Sequence, residues 1–458
     1  MNQSPPVRST PPSSRPLFGI GVVVTIALVL GWLFMQSLDQ GPYLALLLPG
    51  LLLLVFLACI LTARHLPALL VAMFLLMPFQ ESITGPGVPV NIDASDAIAL
   101  FLSLMLPVML IRQGRLRAGP VAVPLLIFCA VVSISSAVTW DGLDTAASLF
   151  RMFVVTVLSV LLFANAGVGV RVAHRCFGAY LVGITVLAVA TVITFAIGGF
   201  KSSEYTLGIN KNSLGPTFGC GVVIALAYLL TTAPPPRRRA WLVAALCAST
   251  VGLLLSLSRG AWVATGAGFL LILAMTRNVR ALVVSVLLLS MVIAVMWSVL
   301  PPEARDYATD ISAQTHTIQT RFATMADVMK AFQSSPLIGV GVGLRKQLEP
   351  HDVLILTLGE TGVVGLLAFV GMFAAGFYTF FRAARLTRGE RDAWPVIVIG
   401  ASLLLVSLAH GLMDVYWRRG VGFMGWSCVG LAASLIFQRQ AARAAVPAPS
   451  SLAWRDAV

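Results

Sequence analysis

Charge is what this sequence has least of. Only 11% of its 458 residues are Asp, Glu, Lys or Arg, where a soluble globular chain carries about 25%. With 58% hydrophobic residues, a soluble fold has no way to hide so much apolar surface. Cysteine is also sparse. The six, Cys59, Cys129, Cys176, Cys220, Cys247 and Cys428, lie within or at the ends of apolar runs and form no CxxC pair. That argues against a disulfide framework and a zinc site, and leaves small buried hydrophobes. The five histidines build no HExxH, there is no aspartate-rich carboxylate cluster, and no Ser-His-Asp arrangement appears. Metal hydrolysis and serine chemistry therefore have no support, and no metal or cofactor is expected. The run GVGVG at 339–343 follows no strand and opens no Rossmann unit, so it is not a dinucleotide loop.

What the sequence has instead is repeated long apolar runs between short polar clusters, the pattern of a polytopic helical membrane protein. Spans are expected near 17–38, 42–62, 66–81, 94–111, 121–139, 148–166, 177–199, 213–232, 240–257, 260–276, 281–300, 352–380, 394–414 and 419–438. The fold class is thus all-α: an integral membrane bundle of about 12–14 transmembrane helices. The run at 66–81 is short, but a non-spanning segment there would move the Arg112/Arg115/Arg117 cluster to the wrong side, so parity makes it a span. The Pro/Ser-rich residues 1–16 read as a disordered tail, 17–438 as one transmembrane domain, and 439–458 as a second tail. The run at 17–38 has no small-residue cleavage site and reads as a retained helix.

The net charge of +13 raises a nucleic-acid partner, and the placement of the charges argues against one. Clusters at Arg8/Arg15, Arg64, Arg112/Arg115/Arg117, Arg171/Arg175, Arg237–Arg239, Arg277/Arg280, Arg382/Arg385/Arg388/Arg391 and Arg439/Arg443 are mostly separated by two apolar segments. The positive-inside rule produces that spacing. Both termini are then cytoplasmic, and the one long connection, 301–350, lies on the outer side. Within it Ile318, Phe322, Met325, Met329 and Phe332 recur at spacings of three and four, an amphipathic helix expected on the outer leaflet.

Cations on the outer side run against the rule and need a reason. Arg259 falls at the tip of a tight hairpin between two apolar runs, in LLSLSRGAW, where an intramembrane cation costs about 3 kcal/mol. A snorkelling or capping arginine is the ordinary alternative. Arg151 begins a span, Lys211 sits between two asparagines at a helix start, and Arg321 lies on the amphipathic helix, where a lipid-headgroup contact is the plain alternative. His351 follows Pro350 at a helix N-terminus, an unfavourable place for a cation and so suited to a neutral imidazole acting as a base. Asp352 follows it, placed to orient His351 or raise its basicity, or to cap the helix. His410 and Asp414, one turn apart, read as a structural polar pair; His174 and His316 give no pattern. Arginines and a lysine beside a base suit an anionic lipid-linked substrate, because guanidinium forks match phosphate oxygens and stay charged where water is scarce. Against a diphosphate leaving group, they stabilise the charge that grows as the bond breaks.

Three stretches together, SLSRGAWVATGAGFLLIL, RFATMADVMKAFQSSPLIGVGVG and HDVLILTLGETGVVGLLAFV, resemble the O-antigen ligase and polysaccharide polymerase family of bacterial envelope proteins. The matching elements are Ser258-Arg259-Gly260, Arg321, Pro336 to Gly341, His351, and Glu360-Thr361-Gly362 with Gly365, in order over about residues 240–375. The family usually has His-Asn where this chain has His351-Asp352, and commonly twelve spans. The resemblance implies a metal-independent, inverting glycosyltransferase of the bacterial inner membrane, facing the periplasm and using an undecaprenyl-diphosphate-linked glycan. Carried over, Arg259 and Arg321 hold the diphosphate, with Arg151 and Lys211 as further candidates, and His351 is the base. The acceptor is lipid A–core for a ligase, or a second lipid-linked glycan for a polymerase. A flippase for the same lipids also wants a basic cavity, but it needs no histidine base, and no half-to-half repeat of the motifs is found.

Overall fold

The structure is a computed structural model, and it describes residues 65–80, 94–103, 105–138, 142–198, 205–277, 279–302, 305, 315–344, 348, 350–414 and 420–445. The expected spans at 17–38 and 42–62, the tail at 1–16 and the end of the chain from 446 lie outside these residues. In chain order the helices are α1 (Leu66–Leu76), α2 (Ala94–Ser103), α3 (Leu106–Gln113), α4 (Ala122–Val138), α5 (Gly142–Phe153), α6 (Ser159–Asn165), α7 (Val170–Ile197), α8 (Lys211–Thr231), α9 (Pro236–Leu255), α10 (Arg259–Thr276), α11 (Val279–Val299), α12 (Thr315–Ser334), α13 (Val353–Leu386), α14 (Ala393–Gly411) and α15 (Val421–Ala445). A π turn, Val154–Leu158, joins α5 to α6. A two-strand antiparallel ladder, β1 (Tyr205–Thr206) and β2 (Ile209–Asn210), precedes α8.

The chain is an all-α polytopic membrane protein. Among the described residues nine helical stretches are long and apolar enough to cross a bilayer: Gly119–Val138, Ser148–Asn165, Val170–Ile197, Lys211–Thr231, Pro236–Leu255, Arg259–Thr276, Val353–Leu386, Ala393–Gly411 and Val421–Ala444. The expected span at 66–81 is an 11-residue helix, short of the roughly 20 residues a crossing needs; Pro67 starts it and Pro78 follows its end. The expected span at 94–111 is two pieces, α2 and α3. α3 belongs to a separate compact unit with residues 105–117; Pro107 opens it and a left-handed Gly114 stops it. The remaining description concerns the larger unit.

At the centre of that unit α8, α14 and α15 are buried on nearly all sides, with Trp426, Phe218, Leu403 and Leu404 fully enclosed. Trp426 meets Phe373 of α13 edge-on, centroids 5.0 Å apart. The outer helices carry the opposite pattern. Val123, Ile127, Ile134 and Val138 of α4 and Leu367 and Val370 of α13 are exposed. Apolar stripes of this extent need a covering phase, and a bilayer supplies it. Buried hydroxyls spend their donors inside their own helices: Thr156, Thr191, Thr250 and Thr265 each donate to the carbonyl four residues back, which satisfies them where water is absent.

One end of this unit gathers its basic clusters. There His174 of α7 lies 2.7 Å from the Tyr228 hydroxyl of α8 and 3.0 Å from the Asp392 carbonyl at the start of α14. Arg238 of α9 stands over the Tyr228 ring at 5.5 Å. Arg439 of α15 pairs with Glu390, and Gln438 donates to the Val168 carbonyl before α7. The final helix therefore runs past the expected boundary at 439, carrying Arg439 to its partner.

Candidate functional site

The opposite end begins with the hairpin between α9 and α10. Ser256 follows the last residue of α9 and donates from Oγ to the Leu253 carbonyl at 2.7 Å. Leu257 turns left-handed at φ 51°, and the Trp262 indole donates back to the same Leu253 carbonyl at 2.9 Å. These bonds occupy a carbonyl that the helix end leaves free, and they make the turn short enough for Arg259 to be the first residue of α10. The hairpin presses on α8 so closely that a Cβ on Gly215 would stand 2.7 Å from both Ser258 Cβ and Ala261 Cβ. Arg259 is half-buried, and its Nη2 is buried with no hydrogen-bond partner.

Three further elements meet this hairpin at the end of α14. Met413 and Asp414 turn back there, their amides both donating to the His410 carbonyl at 2.9 Å. A Cβ on Gly260 would lie 3.1 Å from Met413 Cβ. Arg321 of α12 donates from Nη1 to the Met413 carbonyl at 3.3 Å, while its Nε is buried with no partner. His351 places Nδ1 3.0 Å from Asp414 Oδ1; the aspartate is 5% exposed and the histidine 20%. A carboxylate only accepts, so the proton in this bond belongs to Nδ1 and Nε2 is left as the free basic nitrogen.

The structure thus brings Arg259, Arg321 and His351 to one corner. Lys211 is the first residue of α8, half-buried, one turn before the Gly215 contact with the Arg259 hairpin. The ladder of β1 and β2 leads into it, and Asn210 Oδ1 caps the helix by accepting from the Asn212 amide at 2.8 Å. Arg151 is half-buried on α5, next to the π turn. Its helix reaches the corner at Thr145, which approaches residue 343 of the connecting loop. The N-termini of α8, α10 and α13 all open toward this end, and their dipoles add to the field that favours an anion.

Two sequence expectations change. Asp352 is the cap of α13, its Oδ1 accepting from the amides of Leu354 at 2.8 Å and Ile355 at 3.0 Å; the carboxylate on His351 is Asp414. The reading of His410 with Asp414 as a structural pair therefore missed a partner for His351 that lies 63 residues further along the chain. The usable signal was one acid at the end of an otherwise apolar span, which asks for a cationic or donor partner. On α12 the buried face centres on Val328, fully enclosed against α13 at Gly359. Phe322, expected on the apolar face, is 68% exposed, about a quarter-turn from Arg321.

Residues 242–370 match the family model described as O-antigen ligase. Over that segment the chain is similar to O-antigen ligases. The matched segment contains Arg259, Arg321 and His351, and ends before Asp414. The match supports a membrane glycan enzyme of the ligase or polymerase type. Among solved structures, the chain is similar at 18% identity to one in a study of the structural coordination of polymerization and crosslinking by a peptidoglycan synthase complex. That match covers 69% of this chain and 97% of the other, with a TM-score of 0.40. No curated protein matches the sequence.

Proposed function

We propose that this protein moves a glycan from undecaprenyl diphosphate to a sugar hydroxyl of lipid A–core, at the periplasmic face of the bacterial inner membrane. The observation that carries the proposal is the His351–Asp414 pair at 3.0 Å, on the same corner as two guanidinium groups that each keep one buried nitrogen without an acceptor, Nη2 of Arg259 and Nε of Arg321. Nε2 of His351 takes the proton of the acceptor hydroxyl as its oxygen attacks the anomeric carbon. The bond from that carbon to the diphosphate oxygen breaks from the opposite side, and undecaprenyl diphosphate leaves with the electron pair. The configuration inverts. Asp414 holds the ring and stabilises the imidazolium that forms. Arg259 and Arg321 take up the growing charge on the diphosphate, in a site where fixed donors act strongly because little water competes. Lys211 and Arg151 extend the positive field toward the rest of the diphosphate and the glycan. No metal is needed for charge balance in this scheme.

In this reading both termini are cytoplasmic and residues 301–350 face the periplasm. The gathering of Arg238, Arg439 and the neighbouring arginines on the end away from His351 supports that orientation. The test is to incubate purified protein with undecaprenyl-diphosphate-linked glycan, with and without lipid A–core, and to separate the lipid products on a gel. Product only with lipid A–core is expected. A lengthening ladder without it makes the protein a polymerase with the same donor chemistry. No product beside a reacting positive control overturns the transferase reading and favours lipid transport.

A further inference from the structure

α13 is broken one-third of the way along. Gly362 has φ 66° and ψ −167°, a conformation essentially confined to glycine. In an unbroken helix the amides of Val363 and Val364 would bond to the carbonyls of Gly359 and Glu360. Here they do not. Val363 donates to the Pro336 carbonyl at 2.9 Å and Val364 to the Leu337 carbonyl at 3.3 Å. The carbonyls they leave are taken by Val340, which donates to Gly359 at 3.0 Å, and Gly341, which donates to Glu360 at 2.9 Å. The segment 336–341 has been inserted into the helix and completes its hydrogen bonding, two amides for two carbonyls. Within a membrane each orphaned backbone group costs several kcal/mol, so the break and the inserted segment require each other.

Glu360 pins this insertion. Its carboxyl, 2% exposed, accepts the Gly343 amide on Oε1 at 2.9 Å. Ser136 Oγ of α4 accepts the Val342 amide at 3.4 Å, and Ser135 Oγ donates to the Glu360 carbonyl at 2.6 Å. Four consecutive amides, 340 to 343, are thus held, two by the backbone of the break, one by Ser136 and one by the Glu360 side chain. A Cβ at Gly339 would overlap the Glu360 backbone, and one at Gly362 the Leu337 backbone. Neither side chain fits in the joint.

The joint also fixes α12. Val328 faces Gly359, and Pro336 faces Val363, so α12 runs alongside the first turns of α13 in the same direction. Arg321 precedes Val328 by two turns, and His351 precedes Gly359 by about two. We infer that the insertion of residues 336–343 into the break at Gly362 is a clasp that sets Arg321 level with His351, and that Glu360 is its positioning residue. The inference rests on the transferase reading only for what the alignment serves; the clasp itself has an independent readout.

The experiment is hydrogen exchange of the 339–343 amides in the purified full-length protein, together with glycan transfer, for wild type, Glu360→Gln, Glu360→Leu and Ser136→Ala. Wild-type amides should be strongly protected. Glu360→Gln keeps an acceptor and should keep protection, with kcat/KM within about threefold of wild type. Glu360→Leu should expose Gly343 and its neighbours and lower kcat by about 10²-fold, the usual cost of a displaced positioning group. Ser136→Ala should raise exchange at Val342 while leaving the fold intact. Fast exchange in the wild type overturns the clasp whatever the activity. So does Glu360→Leu with wild-type protection, active or not. Protection that follows this series in a protein that transfers no glycan leaves the clasp standing and removes the transferase reading alone.

Discussion

Asp414 earns its place by what it prevents: an unpartnered imidazole beside His351's helix start is free to turn and to carry its proton on either nitrogen. Asp414→Asn keeps shape and size but presents an amide that can donate to Nδ1, which favours the wrong tautomer. Turnover should fall by about 10²–10⁴-fold with KM for the lipid-linked donor little changed, since the arginines are untouched; a steady-state comparison of kcat and KM checks it. A matched loss in donor binding would instead assign Asp414 to the diphosphate side. Individual residues were legible from the sequence to the degree that each broke a rule locally. Arg259 and Arg321 stood on the wrong side for cations, and His351 stood at a helix start beside Pro350. Asp414 also stood out as an acid at the end of an apolar span, but His410 one turn away offered it a sufficient partner on paper. Its bond to His351 crosses from the end of α14 to the start of α13, and helix periodicity carries no information about which helix ends meet. Asp352, by contrast, was read with more than one role, and the amides of Leu354 and Ile355 choose the cap.

Elements were legible wherever length and apolarity sufficed. α4, α8, α9, α10, α11 and α14 stand within about four residues of their expected spans, while α7 begins about seven residues early and α13 and α15 run on about six and seven residues further. The break in α13 was not, since GETG inside an apolar run reads equally well as a continuous helix with tolerated glycines. What decides is the partner segment, and nothing local in GVGVG says that its amides complete a distant helix. Gly362→Ala places a side chain where φ is positive and the Leu337 backbone already stands. The cost should be about 1–3 kcal/mol or more, seen as a lower Tm of the purified protein in a thermal melt. A Tm equal to wild type would mean that α13 heals into a regular helix and sheds the inserted segment. The stripe on α12 failed for a related reason: a 20-residue helix with apolar residues on two adjoining faces has a choice, and Gly359, with no side chain of its own, receives Val328.

For the whole molecule the sequence carried the class and the expected orientation, and the orientation can be measured directly. Ala326→Cys on the exposed side of α12 and Arg237→Cys at the start of α9 should react differently with a membrane-impermeant maleimide. The first should label in intact spheroplasts, the second only after permeabilisation, and the reverse would invert the topology. The basic end has a mechanical consequence. His174, Tyr228, the Asp392 carbonyl, Arg439 with Glu390, and Gln438 with the Val168 carbonyl stitch together α7, α8, α14 and α15 and the turn before α14. Like the rivet of a fan, these bonds hold the helices to one another at the end away from Arg259, Arg321 and His351. Under the proposed reaction, a lipid-borne glycan would then come and go on the His351 side, with the riveted end closed to it.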